Sequence, residues 1–105
     1  MTTLNLSYPI TLQELGNIPP ADLLSQLRAY CSKGQPLHQD SLMAIVLKMT
    51  ALSRDLNLRQ SERDEAAHMA TALANAALKS YGSASDFCHQ LKEGINRIMS
   101  EPVAA

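Results

Sequence analysis

Hydrophobic positions in residues 40–58 recur at alternating spacings of three and four, which is the pattern of one face of an α-helix. We name this repeat the core stripe; its members are Leu42, Ile45, Met49, Leu52 and Leu56. Three further apolar residues lie beside the stripe, so the face is wider than a two-stranded coiled coil needs. We therefore expect residues 40–58 to form a central helix on which other helices pack.

Three further stretches have the periodicity and the end signals of helices. A proline is tolerated at the first helical position, and a glycine often ends a helix in the left-handed conformation. The predicted helices run from Pro20 to Lys33 before Gly34, from Ser61 to Tyr81 before Gly82, and from a cap at Ser83 and Asp86 to about Ser100.

The segment from residue 39 to residue 81 contains neither proline nor glycine, so one continuous long helix is one interpretation. Continuing the core stripe would, however, place Arg59 on the apolar face. Ser61 with Asp64 also has the spacing of an N-terminal helix cap. These features favour a helical hairpin with a break near residues 57–60, and the long helix remains the alternative.

The first 19 residues predict an arm followed by a single helical turn. Residues 3–8 alternate between polar and apolar positions but have no partner strand in an otherwise helical sequence. Thr11 and Glu14 have the spacing of a capping box, and Gly16 follows closely. We expect one domain over residues 1–105, with the helical bundle at 20–100 and a frayed tail at 101–105.

Composition supports an all-α fold. Hydrophobic residues make up 46% of the chain, and they are dominated by Leu, Ala and Met, with no Trp and one Phe. These residues favour helices over strands. The predicted architecture is a small bundle of about four helices preceded by the short N-terminal arm and turn.

The charge pattern excludes a global electrostatic attraction. The formal net charge is −1, and acidic and basic residues are interspersed, so no overall field recruits nucleic acid or an anionic membrane. The longest apolar runs fall far short of a membrane span, and the N-terminus lacks the features of a signal peptide. We expect a soluble cytoplasmic protein in which Cys31 and Cys88 are buried free thiols.

Catalytic and metal-binding patterns are weak. His68 follows Asp64 by four residues, which is typical of a surface contact when no further ligand is nearby. Cys88 and His89 are neighbours and would point about 100° apart on a helix, so they are poorly placed as nucleophile and base. His38 has no companion and no predicted role. We expect no catalytic residues, no metal and no cofactor.

Basic residues suggest two candidate contacts for anions or nucleic acid. Arg54, Arg59 and Arg63 gather around the predicted hairpin, where neighbouring carboxylates dilute their charge. Residues 70–99 have the outline of a helix-turn-helix whose second helix carries Lys92 and Arg97. A small DNA-binding regulator is therefore the alternative function.

Gly94 interrupts the apolar side of the last predicted helix, where glycine costs about 1 kcal/mol relative to alanine. It indicates either a close helix crossing, a partner contact or simple tolerance of the residue.

The leading prediction is a non-enzymatic protein–protein interaction module, such as a small adaptor, an assembly chaperone or an inhibitor, that acts through an apolar helix face. The broad face of residues 40–58 exceeds what the other short helices can cover. We therefore expect a homodimer in which the core stripe contributes the interface, with residues 3–8 lying across the partner.

Overall fold

The computed structural model describes residues 11–32 and 38–101. Within these ranges the chain forms five helices and no strand: α1 Leu12–Gly16, α2 Pro20–Ser32, α3 Gln39–Leu52, α4 Gln60–Tyr81 and α5 Asp86–Ser100. The all-α prediction is confirmed for the described part of the chain. The predicted arm at 3–8, the stop at Gly34 and the tail after residue 101 lie outside it.

Side chains at the helix ends explain where α1 and α3 begin. The Oγ1 of Thr11 accepts a hydrogen bond from the backbone N–H of Glu14 at 3.2 Å, as the capping box predicted. At α3, the Nδ1 of His38 accepts from the backbone N–H of Asp40 at 3.1 Å. His38, for which the sequence predicted no role, therefore pairs with a backbone donor that the first turn of a helix leaves free.

Helix α3 is the centre of the fold, as predicted. It packs against α1, α4 and α5. Ile45, Val46 and Met49 are completely buried, and Leu42 and Leu52 are nearly so. A short helix with apolar residues on most of its circumference is stable only when neighbours cover it from several sides, and these three helices do so.

The predicted hairpin is confirmed, but α3 ends earlier than expected. It stops at Leu52, and residues 53–59 form the turn. The hydroxyl of Ser53 donates to the carbonyl of Thr50 at 2.6 Å, and the carboxylate of Asp55 accepts from the backbone N–H of Asn57 at 2.9 Å. Such local bonds offer the backbone an alternative to the helix. Leu56 was wrongly assigned to the core stripe; it lies in this turn and is half-exposed.

The start of α4 differs from the predicted cap at Ser61. The helix begins at Gln60, and the backbone N–H of Arg59 donates to the Oε1 of Glu62 at 3.2 Å. Asp64 instead accepts a hydrogen bond from the Nε2 of Gln60 at 2.8 Å. The helix ends, as expected, at Gly82, whose φ of 85° favours glycine.

The start of α5 is displaced by two residues from the predicted cap at Ser83. Ser85 is the N-cap, and its Oγ accepts from the backbone N–H of Cys88 at 3.2 Å. The same hydroxyl donates to the carbonyl of Gly82 at 2.8 Å, so Ser85 joins the end of α4 to the start of α5.

Two groups of buried residues hold the helices together. One lies among α1, α2, α3 and α4 and contains residues such as Leu15, Leu27 and Met49. The other lies among α3, α4 and α5 and contains Leu42, Val46, Ala77 and Leu91. At the surface, Arg28 of α2 donates two hydrogen bonds to the carboxylate of Glu65 in α4, at 2.7 Å and 2.6 Å.

Candidate functional site

The core stripe is used within the chain. Four of its five members are buried there against neighbouring helices: Leu42, Ile45, Met49 and Leu52. The premise that α3 keeps an uncovered apolar face is therefore corrected, because α1, α4 and α5 together cover more of it than the sequence indicated. Leu56 is accessible, but it lies in the α3–α4 turn, away from the other four along the chain.

Large hydrophobic side chains remain exposed at four places in the described residues: Leu12 at 48%, Leu56 at 50%, Tyr81 at 40% and Met99 at 52%. Isolated exposed side chains are ordinary on protein surfaces. Tyr81 packs edge-on against Phe87, with ring centroids 4.9 Å apart. Leu12 and Met99 differ from Leu56 because each lines a surface groove.

The first groove lies among α1, the N-terminal part of α3 and the first residues of α5; we call it the α1 groove. It has a volume of about 490 Å³. Its apolar lining consists of Leu12, Met43, Ala44, Leu47 and Phe87. Polar side chains complete it, namely Gln39, Asp40, Asp86 and Gln90. This combination of apolar floor and polar rim is typical of recognition surfaces.

Two carboxylates give the rim of the α1 groove its charge. Asp40 and Asp86 lie in the first turns of α3 and α5, where the helix dipole favours a negative side chain. Both are exposed, and no Lys or Arg is among the residues that line the groove. Complementary charge on a ligand would therefore be positive.

The second groove lies among α3, α4 and α5; we call it the α4 groove. It has a volume of about 320 Å³, and its lining is uncharged: Thr50, Ser53, Ala67, Ala70, Thr71, Ala74, Asn75, Ile95 and Met99. The space exists because α4 presents alanines where larger side chains would fill it. Helix α4 packs against both α3 and α5.

The three hairpin arginines have different environments. Arg54 donates from its two terminal nitrogens to the carbonyls of Met99 at 3.0 Å and Glu101 at 2.5 Å, so it binds the C-terminal end of α5. Arg59 is exposed at the N-cap of α4. Arg63 is partly buried, and its Nε has no hydrogen-bond partner in the described structure. Arg54 is thus occupied within the chain rather than directed to an external anion.

The candidate recognition helix of a DNA-binding protein is α5. Lys92 and Arg97 are both exposed on it, as a phosphate contact requires. Asp86 and Glu93 are exposed on the same helix, so its surface has mixed charge. The hydroxyl of Ser85, just before the same helix, already accepts a hydrogen bond as the N-cap of α5.

Residues with potential chemical reactivity are separated. Cys88 is buried, and its thiol lies 3.7 Å from the carbonyl oxygen of Ala77, whereas its neighbour His89 is exposed. His68 is exposed on α4 beside Asp64. In the described ranges no three His, Cys, Asp or Glu side chains converge as ligands for a metal ion. The side chain of Cys31 is not among those that the structure describes.

None of the helices within residues 11–32 and 38–101 combines the length and the hydropathy needed to cross a membrane. No family model, curated protein or solved structure matches this chain. Function must therefore be argued from the surfaces described above.

Proposed function

We propose that this protein is a non-enzymatic helical protein–protein interaction module, such as a small adaptor, an assembly chaperone or an inhibitor. The observation that supports the proposal is the α1 groove, in which apolar side chains lie open beneath an acidic rim. This surface replaces the core stripe as the partner site, because the stripe is mostly buried within the chain.

The chemistry of the groove defines the partner segment. Leu12, Leu47 and Phe87 offer apolar contact area to aliphatic or aromatic anchors, in the manner of a helix that binds a hydrophobic groove. Asp40 and Asp86 favour Lys or Arg beside those anchors. We therefore propose a partner segment with apolar side chains on one face and basic side chains next to them.

A pair of matched variants tests the apolar contact. Leu12 and Leu56 have almost the same exposure, 48% and 50%, but only Leu12 lines the groove. A photo-crosslinking residue placed at position 12 in the native host should capture a partner that the same residue at position 56 does not. With the purified partner, Leu12→Glu should weaken binding about tenfold or more, the loss that corresponds to one buried leucine, whereas Leu56→Glu should not.

A second pair of variants tests the acidic rim. Replacing both carboxylates, Asp40→Asn with Asp86→Asn, should slow association and reduce its dependence on salt, because the basic partner is no longer attracted. Glu93→Gln, which removes a carboxylate from the α5 surface outside the groove, is the control. A partner that crosslinks equally from positions 12 and 56, or that is unaffected by Leu12→Glu, would refute the proposed site.

The alternative function is a small helix-turn-helix-like DNA-binding regulator, which the exposure of Lys92 and Arg97 on α5 favours. In that case Lys92→Ala and Arg97→Ala should each weaken duplex binding and lower the magnitude of its salt slope by about one, since each removes a phosphate contact. Absence of duplex binding at low salt would eliminate this alternative and leave the protein-binding module.

A further inference from the structure

Helix α4 presents one long face that no helix of the described chain covers. We call it the α4 face. Its members are all exposed and lie opposite the buried Ala66, Ala70 and Ala77: Asp64, Ala67, His68, Thr71, Ala72, Asn75, Ala76 and Lys79. In its middle, Thr71 and three alanines lie beside the larger side chains of His68 and Asn75. An acidic residue lies near one end and a basic residue near the other.

The α4 face is complementary to itself in the antiparallel direction. A two-fold axis that lies between the two copies, perpendicular to both helices and level with the midpoint of Thr71 and Ala72, brings Thr71 of one copy level with Ala72 of the second copy. The same axis brings Asp64 opposite Lys79 and His68 opposite Asn75. At 100° per residue these positions lie symmetrically on either side of the direction in which the α4 face points, and the two-fold axis runs at a right angle to that direction. Isologous dimers require this kind of self-complementary surface.

We propose that the α4 face binds a second copy of this chain, with the two α4 helices antiparallel and crossing near Thr71 and Ala72. Each Asp64 then lies beside Lys79 of the second copy, which gives two opposite-charge pairs about 22 Å apart along the helix. The hydrogen bond from Gln60 to Asp64, at 2.8 Å, helps to hold this carboxylate in place.

Small side chains at the crossing allow a close approach of the two helices. Thr71 and Ala72 project little from the helix, whereas His68 and Asn75, about one turn to either side, point most directly at the second copy, so the axes stay within the usual range of 8–10 Å. A large side chain at either position would hold the two helices apart. The small alanines therefore leave room for the second helix, and the charged pairs favour its antiparallel direction.

The α4 groove adds apolar area to the same contact. It runs along the Ala67 side of the α4 face, where Ile95 and Met99 line it. In the antiparallel arrangement the two-fold axis brings this side against the same side of the second copy. Met99, which is 52% exposed in the single chain, becomes covered there. The groove and the α4 face are thus one continuous interface.

A second copy fits the α4 face because it carries both complementary charges itself, and the two-fold rotation places its Lys79 beside Asp64. A parallel arrangement would place Asp64 beside Asp64 and Lys79 beside Lys79, which repel. The α1 groove lies on a different surface, so this inference does not depend on the proposed function.

Light scattering on a sizing column over a concentration series tests the dimer. The wild-type chain should give twice the single-chain mass of 11.4 kDa at high concentration. Lys79→Glu should raise the dissociation constant about tenfold or more, because two attractive pairs become repulsive. The charge exchange Asp64→Lys with Lys79→Glu should restore the dimer.

Glu93→Lys is the control, because it reverses a charge on the exposed surface of α5 outside the α4 face and the α4 groove. All substituted residues are exposed, and circular dichroism checks that each variant remains folded. A mass of 11.4 kDa at several hundred micromolar protein would overturn the proposal. So would a dimer that Lys79→Glu leaves unchanged or that the charge exchange does not restore. Leu12→Glu should leave the dimer intact, which separates this test from that of the α1 groove.

Discussion

A Cβ atom added to Gly94 of α5 would lie only 2.7 Å from the Cδ2 of Leu47 in α3. The sequence allowed three interpretations of this glycine, and the structure supports a close helix crossing. A larger residue at position 94 would require the end of the Leu47 side chain to shift. Glycine therefore lowers the intrinsic stability of α5 but permits its approach to α3.

This crossing predicts a measurable coupling between the two positions. Gly94→Ala should gain about 1 kcal/mol of helix propensity only where Leu47 has been shortened to alanine, because the collision is then absent. In the wild-type background the displacement of the end of the Leu47 side chain should offset part of that gain. Chemical denaturation of the four variants of a double-mutant cycle gives the coupling, which we expect to exceed about 0.5 kcal/mol.

Gly16 supplies the control for the crossing, since a Cβ atom there would meet nothing within 4 Å. Gly16→Ala should show no coupling to Leu47→Ala. Equal effects of Gly94→Ala in both Leu47 backgrounds would show that the crossing does not constrain position 94.

The pair of Arg28 and Glu65 predicts a pH dependence of stability. Hydrogen bonds from the Arg28 guanidinium lower the pKa of the Glu65 carboxyl below its ordinary value. The unfolded chain therefore binds the proton more readily than the folded chain. The contribution to the free energy of unfolding is complete above the ordinary glutamate pKa of about 4.3 and is lost as the pH falls through the lower folded value.

Glu65→Gln should remove this dependence and flatten the stability profile in that acidic range, as followed by thermal denaturation between pH 3 and pH 7. Glu93→Gln, on exposed α5 surface, is the control and should leave the profile unchanged. If the wild type and Glu65→Gln show the same dependence of stability on pH, the role assigned to the ion pair is wrong.

The hydrogen bonds of Arg54 predict that this residue stabilises the C-terminal end of α5. Its side chain donates to the carbonyls of Met99 and Glu101, groups that a helix C-terminus leaves without internal partners. Arg54→Ala should destabilise this end by on the order of 1 kcal/mol, visible as faster amide hydrogen exchange in the last turn of α5. Arg59→Ala, which removes a neighbouring exposed arginine, should not change exchange there.

The burial of Cys88 predicts that its thiol reacts slowly with chemical reagents. The thiol is completely buried, so a reagent reaches it only after α5 opens. In a Cys31→Ser background, labelling by a thiol reagent should be at least about 100-fold slower in the native state than in denaturant, which corresponds to an opening free energy of about 3 kcal/mol. Rapid native labelling would show that α5 separates readily from α3 and α4.

Local features of the sequence determined most of the helices. The Thr11–Glu14 cap, the start at Pro20 and the stop at Gly82 all involve residues within a few positions of one another, so their physical cause is visible in the sequence. The early end of α3 was missed because a continuing apolar repeat concealed the competing hydrogen bonds of Ser53 and Asp55.

The tertiary structure decided which apolar surfaces remain open. The sequence showed that α3 is broadly apolar, but only the packing of α1, α4 and α5 showed that its stripe is covered. Likewise, Leu12 and Phe87 are separated by most of the chain and meet only in the folded α1 groove. Helix formation depends on hydrogen bonds between residues four apart, whereas burial depends on contacts between distant segments, which a single sequence does not specify.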